Sequence, residues 1–221
     1  MSFDILAPIY RLMERVLAGG KLHRCRCAFI ARLPQPRNIL ILGEGPGRFV
    51  VECVRKFPDA SITCVEESGK MIAEARKHLA GYQLSAHNVT FFESDAVPWL
   101  EQQQQTQKDQ HDEFDLIVTH FFLDCFRADQ LETLVPAIAS VAAKDAHWLL
   151  GDFQEASRGW RRWRSRCILA IMYTFFRAVT RLPASSLTRP DTYLQSAGFS
   201  LRERLEYDWE LLKSDWWVRG E

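Results

Sequence analysis

The sequence predicts an α/β protein built on a mainly parallel sheet with helices on both faces. Three features carry this reading. Between residues 38 and 152, five short apolar runs alternate with segments of helical periodicity. A glycine-rich turn, Gly43-Glu44-Gly45-Pro46-Gly47, follows the first of those runs and opens a helical segment. Two β-like runs, Leu201 to Tyr207 and Leu211 to Val218, stand near the end of the chain; only a few residues join them, so they must be antiparallel.

The elements follow in order. Ile5, Ile9, Met13, Val16 and Leu17 recur at helical spacing, Gly19-Gly20 interrupts them, and a second helix runs to about Leu33 before Pro34-Gln35-Pro36 ends it. Asn38 to Leu42 is a short apolar run of the kind buried in a parallel sheet. Phe49 to Phe57 reads as a helix stopped by Pro58, and Ser61 to Val65 as the second strand. Ser68 is placed to cap a helix through Leu79. Val89 to Glu93 is the third strand, and residues 98–113 are a polar, Gln-rich surface helix or loop. Asp115 to Thr119 is the fourth strand. Leu131, Leu134, Val135, Ile138 and Val141 mark a helix from Asp129 to Ala143, with Pro136 a kink point. His147 to Asp152 is the fifth strand, and a long helical segment runs from Ser157 to about Leu182.

At 221 residues the chain suits one domain with a full core. Its zero formal net charge argues against a general nucleic-acid binder. The first 20 residues hold no long apolar stretch of the signal-peptide kind. The longest strongly apolar run, Cys167 to Phe176, falls short of the ~20 residues that span a bilayer. Cys25 and Cys27 form a lone C-x-C with no second half, so no metal site is expected; six free thiols fit a reducing cytoplasm.

Glycines in the 43–47 turn let the backbone bend sharply and let a ligand approach main-chain N–H groups. Nineteen residues past Gly47, Glu66 ends the second strand, where a carboxylate in a doubly wound fold can accept from both hydroxyls of a bound ribose. The dinucleotide fingerprint needs a third glycine for close helix packing, and Arg48 stands there instead. The spacing is G-x-G-x-G.

That spacing resembles the first motif of class I S-adenosylmethionine-dependent methyltransferases, and the resemblance extends over nearly the whole chain. Val65-Glu66-Glu67-Ser68 looks like the acidic second motif, and Met71 stands where members pack an apolar side chain on the adenine. Phe92-Glu93-Ser94-Asp95-Ala96 is similar to the third motif, and Phe114 to Val118 followed by Thr119-His120-Phe121 to the fourth-strand motif. Ala197-Gly198-Phe199 before two terminal strands resembles the closing hairpin. The resemblance implies a Rossmann-like, seven-stranded, mostly parallel sheet with one antiparallel strand, helices on both faces and a helical cover. It implies S-adenosyl-L-methionine as cofactor, bound by Gly43, Glu44, Gly45, Gly47, Glu66, Met71, Asp95, Ala96 and His120. Members carry an acid two residues before the first glycine; here that residue is Ile41, and Glu44 inside the turn is the substitute candidate for the cofactor's ammonium.

Methyl transfer is an in-line displacement, so alignment and exclusion of water matter more than many catalytic groups. His120 and Asp124, just past the fourth strand, are candidate proton acceptors, with Asp152 a third. A cofactor- or backbone-bonding histidine, a helix-capping aspartate and a solvated carboxylate are their respective alternative readings. Phe3 to Tyr10 resembles the opening of the ubiquinone/menaquinone-type small-molecule methyltransferases, in which a tyrosine of the N-terminal helix faces the site; Tyr10 holds that position.

The expected organisation is an N-terminal helical cover over 1–36, a cofactor-binding core over 37–155, an insertion over 156–190 and a hairpin over 191–221. The insertion holds eight arginines (158, 161, 162, 164, 166, 177, 181, 189) and no acid. A lid over an apolar pocket, a peripheral membrane contact, an anion site and a solvated arginine face all fit it. The favoured function is methylation of a small, apolar or lipid-like acceptor by a cytoplasmic, optionally membrane-associated enzyme. A nucleic-acid methyltransferase and a non-catalytic S-adenosylmethionine-binding protein are the alternatives. Oligomeric state is left open.

Overall fold

The computed structural model describes residues 20–84, 86–106, 113–180 and 187–220. The expected first helix and Tyr10 lie outside the described residues.

One seven-stranded sheet organises the chain: β1 (Asn38–Leu42), β2 (Ser61–Glu66), β3 (Val89–Glu93), β4 (Phe114–His120), β5 (Ala142–Phe153), β6 (Phe199–Tyr207) and β7 (Leu212–Arg219). The order is β3-β2-β1-β4-β5-β7-β6, with β7 antiparallel to both of its neighbours and the other pairings parallel. This is the mostly parallel, Rossmann-like sheet that the alternating pattern and the terminal hairpin imply. The strand order reverses between β1 and β4, which opens a crevice at the carboxyl ends of those strands.

Seven α-helices connect the strands: α1 (Lys21–Arg26), α2 (Arg48–Lys56), α3 (Gly69–Gly81), α4 (Ala96–Thr106), α5 (Ala128–Ser140), α6 (Gly159–Thr180) and α7 (Asp191–Ser196) among the described residues. Successive strand residues point to opposite faces, so the core splits into two layers. On one face Leu40, Ile117, Trp148, Leu150 and Trp217 meet α4, α5 and α7 through Leu100, Leu134 and Leu194. On the other face Ile39, Ile41, Leu116, Val118 and Leu149 meet α2 and α3 through Phe49, Val50 and Leu79, joined by Phe29 and Leu33. Trp148 lies edge-on to Phe199 and donates its indole N–H to Thr119 Oγ1 at 2.8 Å, so its buried donor is satisfied.

Three expectations shift. The helix expected to reach Leu33 stops at Arg26, and the chain continues as a turn and a short 3-10 segment, Ile30–Arg32. The fifth strand starts five residues earlier than expected, at Ala142. Arg219 donates to the carbonyls of Ala139 and Ala142, which ends α5 and aligns the first residue of β5 with Phe114; a register shift between Phe114 and Leu116 absorbs the extra residues. Residues 98–113 form helix as far as Thr106, with Pro98 in the first turn, where its missing N–H is harmless. Pro136 sits inside α5 on its exposed side. Ser68 caps α3 as expected, accepting from the Met71 N–H.

A charged network locks the terminal hairpin to α7. Arg204 pairs with Asp191 and Asp215, and Lys213 pairs with the same two carboxylates at 2.9 and 3.1 Å. Lys213 and Asp215 are almost fully buried, so each charge depends on its partners. Asp215→Ala should therefore cost about 3 kcal/mol by urea denaturation, because it strips a partner from buried Lys213 and Arg204. A loss no larger than that of an exposed ion pair would show that the network is not structural.

Candidate active site

Five strands deliver their carboxyl ends to one edge of the sheet. The chain leaves β1 through Gly43, Gly45 and Gly47, all with positive φ (68°, 65° and 80°). Two of these glycines are also required by space. A Cβ on Gly47 would stand 2.5 Å from the Ala75 Cα in α3, and one on Gly43 2.5 Å from the Phe122 ring. A Cβ on Gly45 would meet nothing within 4 Å, so the crest of the turn is open to an approaching group.

Glu66, the last residue of β2, accepts the Gly45 N–H at 2.9 Å on one oxygen and the Ser68 N–H at 3.1 Å on the other. It thereby ties the glycine turn to the tip of β2. Burial raises its pKa, while these two N–H groups pull it back down. Glu93 reaches α3 from the tip of β3: its carboxylate lies where a Cβ on Gly69 would fall, 2.8 Å from that point. Asp95 follows β3, is exposed, and accepts the Val97 N–H at the start of α4, whose first residue is buried Ala96. Met71 is buried in the first turn of α3.

Glu44 points into the protein. One carboxylate oxygen accepts the N–H groups of Phe49 and Val50 at 2.7 and 3.3 Å, filling orphan donors at the start of α2. Burial pushes its pKa up to about 7, opposed chiefly by the charge of Arg26. Sequence reasoning missed Arg26. It is buried, lies over the Phe121 ring, and projects its charge toward both Glu44 and His120. Within the run KLHRCRC nothing but its place on the inward side of a short helix distinguishes it from Arg24.

His120 ends β4. It is buried beside Phe49, whose ring it meets edge-on at 4.5 Å, and Gly151 leaves the room that its ring occupies. Neither ring nitrogen has a hydrogen-bond partner among the described residues. Burial, with the Arg26 charge adding to it, holds the imidazole pKa well below its usual value, so it is neutral at neutral pH.

Asp124 and Asp152 stand at the tips of β4 and β5. Asp124 lies in a 3-10 turn, Leu123–Cys125, and is buried; burial pushes its pKa up to about 6. Asp152 is 1% exposed. One of its oxygens accepts the Phe153 N–H, and the other has no partner. Burial first, then the neighbouring Asp124 charge, holds its pKa well above the carboxylate range, and nearby Lys213 only partly offsets them. Two buried neighbouring carboxyls, with the Asp124 charge raising Asp152, behave as a pair holding a proton at neutral pH.

The Arg-rich helix α6 closes over these tips. Tyr173 donates its hydroxyl to the Asp124 carbonyl at 3.0 Å. Leu169, Met172 and Tyr173 pack with Leu211, with Cys125 and Phe153 alongside. The carboxyl pair therefore has one apolar wall. All six cysteines are free thiols, and no metal-binding cluster occurs among the described residues.

Residues 39–145 match a family model described as a methyltransferase domain. A demethylmenaquinone methyltransferase of Chlamydia muridarum is 30% identical over 77 residues, which is 35% of this chain and 34% of that protein. The chain thus aligns with about a third of the length of the curated relatives it matches. Among solved structures, the mitomycin 7-O-methyltransferase MmcR superposes over 100% of this chain and 61% of its own, at 18% identity and a TM-score of 0.66. The magnesium protoporphyrin IX methyltransferase of Synechocystis PCC 6803, solved with bound SAH, covers 90% of this chain and 82% of its own at 15% identity, with a TM-score of 0.61. The fold is that of class I S-adenosylmethionine-dependent methyltransferases, and the chain is broadly related to them.

The raised pKa of Glu44 has a measurable consequence. The folded state keeps a proton that the unfolded chain releases between pH 4.5 and about 7, so this group's contribution to stability falls as pH rises through that window. Glu44→Gln keeps an acceptor for Phe49 and Val50 but cannot titrate. Its stability relative to the natural protein should climb from pH 4.5 to 7.5, by up to about 3 kcal/mol, in denaturant melts at several pH values. Parallel curves would show that Glu44 is ionised in the fold.

Proposed function

We propose that this chain transfers a methyl group from S-adenosyl-L-methionine to a small, apolar or lipid-like acceptor. The observation that carries the reading is the edge where β1, β2 and β3 end. There the open crest at Gly45, the Glu66 carboxylate and Asp95 stand in the order that a nucleoside needs. The match to a methyltransferase domain over residues 39–145 supports it. So does the name of the chlamydial relative, whose acceptor is a quinone-type molecule, though that acceptor is known only of the relative.

The residues present fit the cofactor. Glu66 already accepts two N–H groups, so its oxygens are oriented to accept from ribose hydroxyls at the same edge. Gly43, Gly45 and Gly47 keep side chains out of the turn, Met71 and Ala96 offer apolar surface, and Asp95 is an exposed acceptor next to them. Glu44, engaged with α2, acts through the shape of the turn. When bound, the cofactor supplies an electrophilic methyl on a sulfonium.

The chain's own residues then align the acceptor, exclude water and take its proton. The inner face of α6 presents Leu169 and Met172 to the strand tips and shields them from water. Neutral His120 has two free ring nitrogens, and the Asp124–Asp152 pair has a free carboxyl oxygen. Asp124, its pKa raised to about 6, suits proton acceptance from a hydroxyl or an activated carbon, whereas burial weakens His120 as a base and keeps a proton on Asp152. Tyr10, on the residues preceding Gly20, belongs to the same proposal as a group facing the acceptor.

Calorimetry tests the cofactor first. S-adenosylmethionine should bind, and Glu66→Ala should weaken it about 10- to 100-fold through loss of charge-assisted hydrogen bonds. No heat with the natural protein would sink the reading. A methyl-transfer screen over quinols, phenols and free nucleic acid then ranks acceptors, and turnover on RNA alone would replace the apolar acceptor. With the best acceptor, Asp124→Asn should lower kcat about 100-fold at unchanged cofactor affinity. Equal kcat would leave His120 as the acceptor of the proton.

A further inference from the structure

The inner face of α6 is accounted for by the strand tips; its outer face is not. Trp160, Trp163, Cys167 and Ile171 are spaced by three and four residues, so they line one stripe of the helix. That stripe is in water: Trp160 is 59% exposed, Trp163 73% and Ile171 71%. Trp209, on the β6–β7 turn, is 55% exposed and continues it, with its ring 5.5 Å from that of Trp160. Scattered single apolar residues need no explanation, but a contiguous row of three indoles and an isoleucine does.

Arginines surround the row. Arg161, Arg162 and Arg164 are tied to Glu210, Glu155 and Asp208, and the Arg161 guanidinium also lies over the Trp209 ring. The pairs to Glu210 and Asp208 fasten the helix to the β6–β7 turn, the pair to Glu155 ties it to the segment after β5, and together they hold the stripe in one orientation. Arg158, Arg166 and Arg177 are exposed and have no carboxylate partner among the described residues. The helix itself carries no acid at all.

We propose that this outer face docks the protein peripherally on an anionic phospholipid surface. Indole rings prefer the headgroup level, where the apolar ring is out of water and the N–H still finds an acceptor. Unpaired guanidiniums beside them meet lipid phosphates. Ile171 adds apolar depth that a nucleic acid does not reward, since it offers neither a stacking face nor a donor. A second copy of the same face is disfavoured because like charges would meet. Among the described residues no helix is long and apolar enough to cross a membrane, so the helix lies along the surface. The docking is independent of methyl transfer. It would, however, set the inner face of α6 and the carboxyl pair next to the lipid phase, where an apolar acceptor is concentrated.

Sedimentation of the full chain with unilamellar vesicles tests this without any cofactor. Phosphatidylcholine vesicles containing phosphatidylglycerol should bind the protein, and pure phosphatidylcholine at least ~10-fold less. Arg166→Glu with Arg177→Glu should weaken binding more than ~10-fold, and Trp163→Ser with Ile171→Ser by a similar factor. All four side chains are exposed, and circular dichroism checks that each variant is folded. No binding of the natural protein to the anionic vesicles would overturn the proposal. So would equal binding by the variants, or displacement from vesicles by a single-stranded RNA oligomer at lower concentration than by lipid. Because the readout is binding alone, its failure leaves the methyl-transfer reading standing, and the reverse holds too.

Discussion

The Glu66 carboxylate, at the end of β2, accepts the Gly45 N–H on one side and the Ser68 N–H on the other. Much of the molecule is arranged around that pair of hydrogen bonds. They join the exit of β1 to the exit of β2, and they do so at the one glycine whose missing Cβ leaves open space. On either side the turn is fixed by contact: Gly47 lies against the backbone of α3 and Gly43 against Phe122. Glu44, between them, ties the same turn to the first N–H groups of α2. The turn is thus held on four sides and open on the fifth, which is the geometry of a preorganised backbone cradle.

A second layer of constraint lies under β4 and β5. His120, Asp124 and Asp152 are all buried, and among the described residues both His120 ring nitrogens and one Asp152 oxygen have no partner. Such atoms cost stability, and most proteins avoid them. Here they gather at the strand ends that face the glycine turn. The nearby Lys213 charge is itself consumed by Asp191 and Asp215, so it does not neutralise Asp152 outright. The hairpin network and the site therefore share one electrostatic environment, although the hairpin comes from the opposite end of the sequence.

Helix α6 has two unlike faces. Its inner side closes the strand tips through Leu169, Met172 and the Tyr173 hydroxyl. Its outer side displays tryptophan, isoleucine and unpaired arginine. Three of its arginines serve as fasteners to Glu155, Asp208 and Glu210, so the segment's positive charge is not a single-purpose patch.

The sequence by itself determined the architecture and the turn. Apolar runs, glycine spacing and acids at successive strand ends are local signals, and period and spacing survive into any compact structure that buries those runs. It also placed Glu66 at the end of β2 and the Ser68 cap correctly, because strand period and helix capping depend on neighbours only a few residues away. What tertiary structure alone decided depends on partners far apart in the chain. The early start of β5 follows from Arg219 reaching Ala139 and Ala142. The inward turn of Glu44, the buried charge of Arg26 beside His120, and the raised pKa values of Asp124 and Asp152 follow from burial, which no residue type announces. Likewise the arginine count of α6 was legible, but which arginines are paired and which face the solvent was not, since two of the three partners, Asp208 and Glu210, lie on the turn between the last two strands.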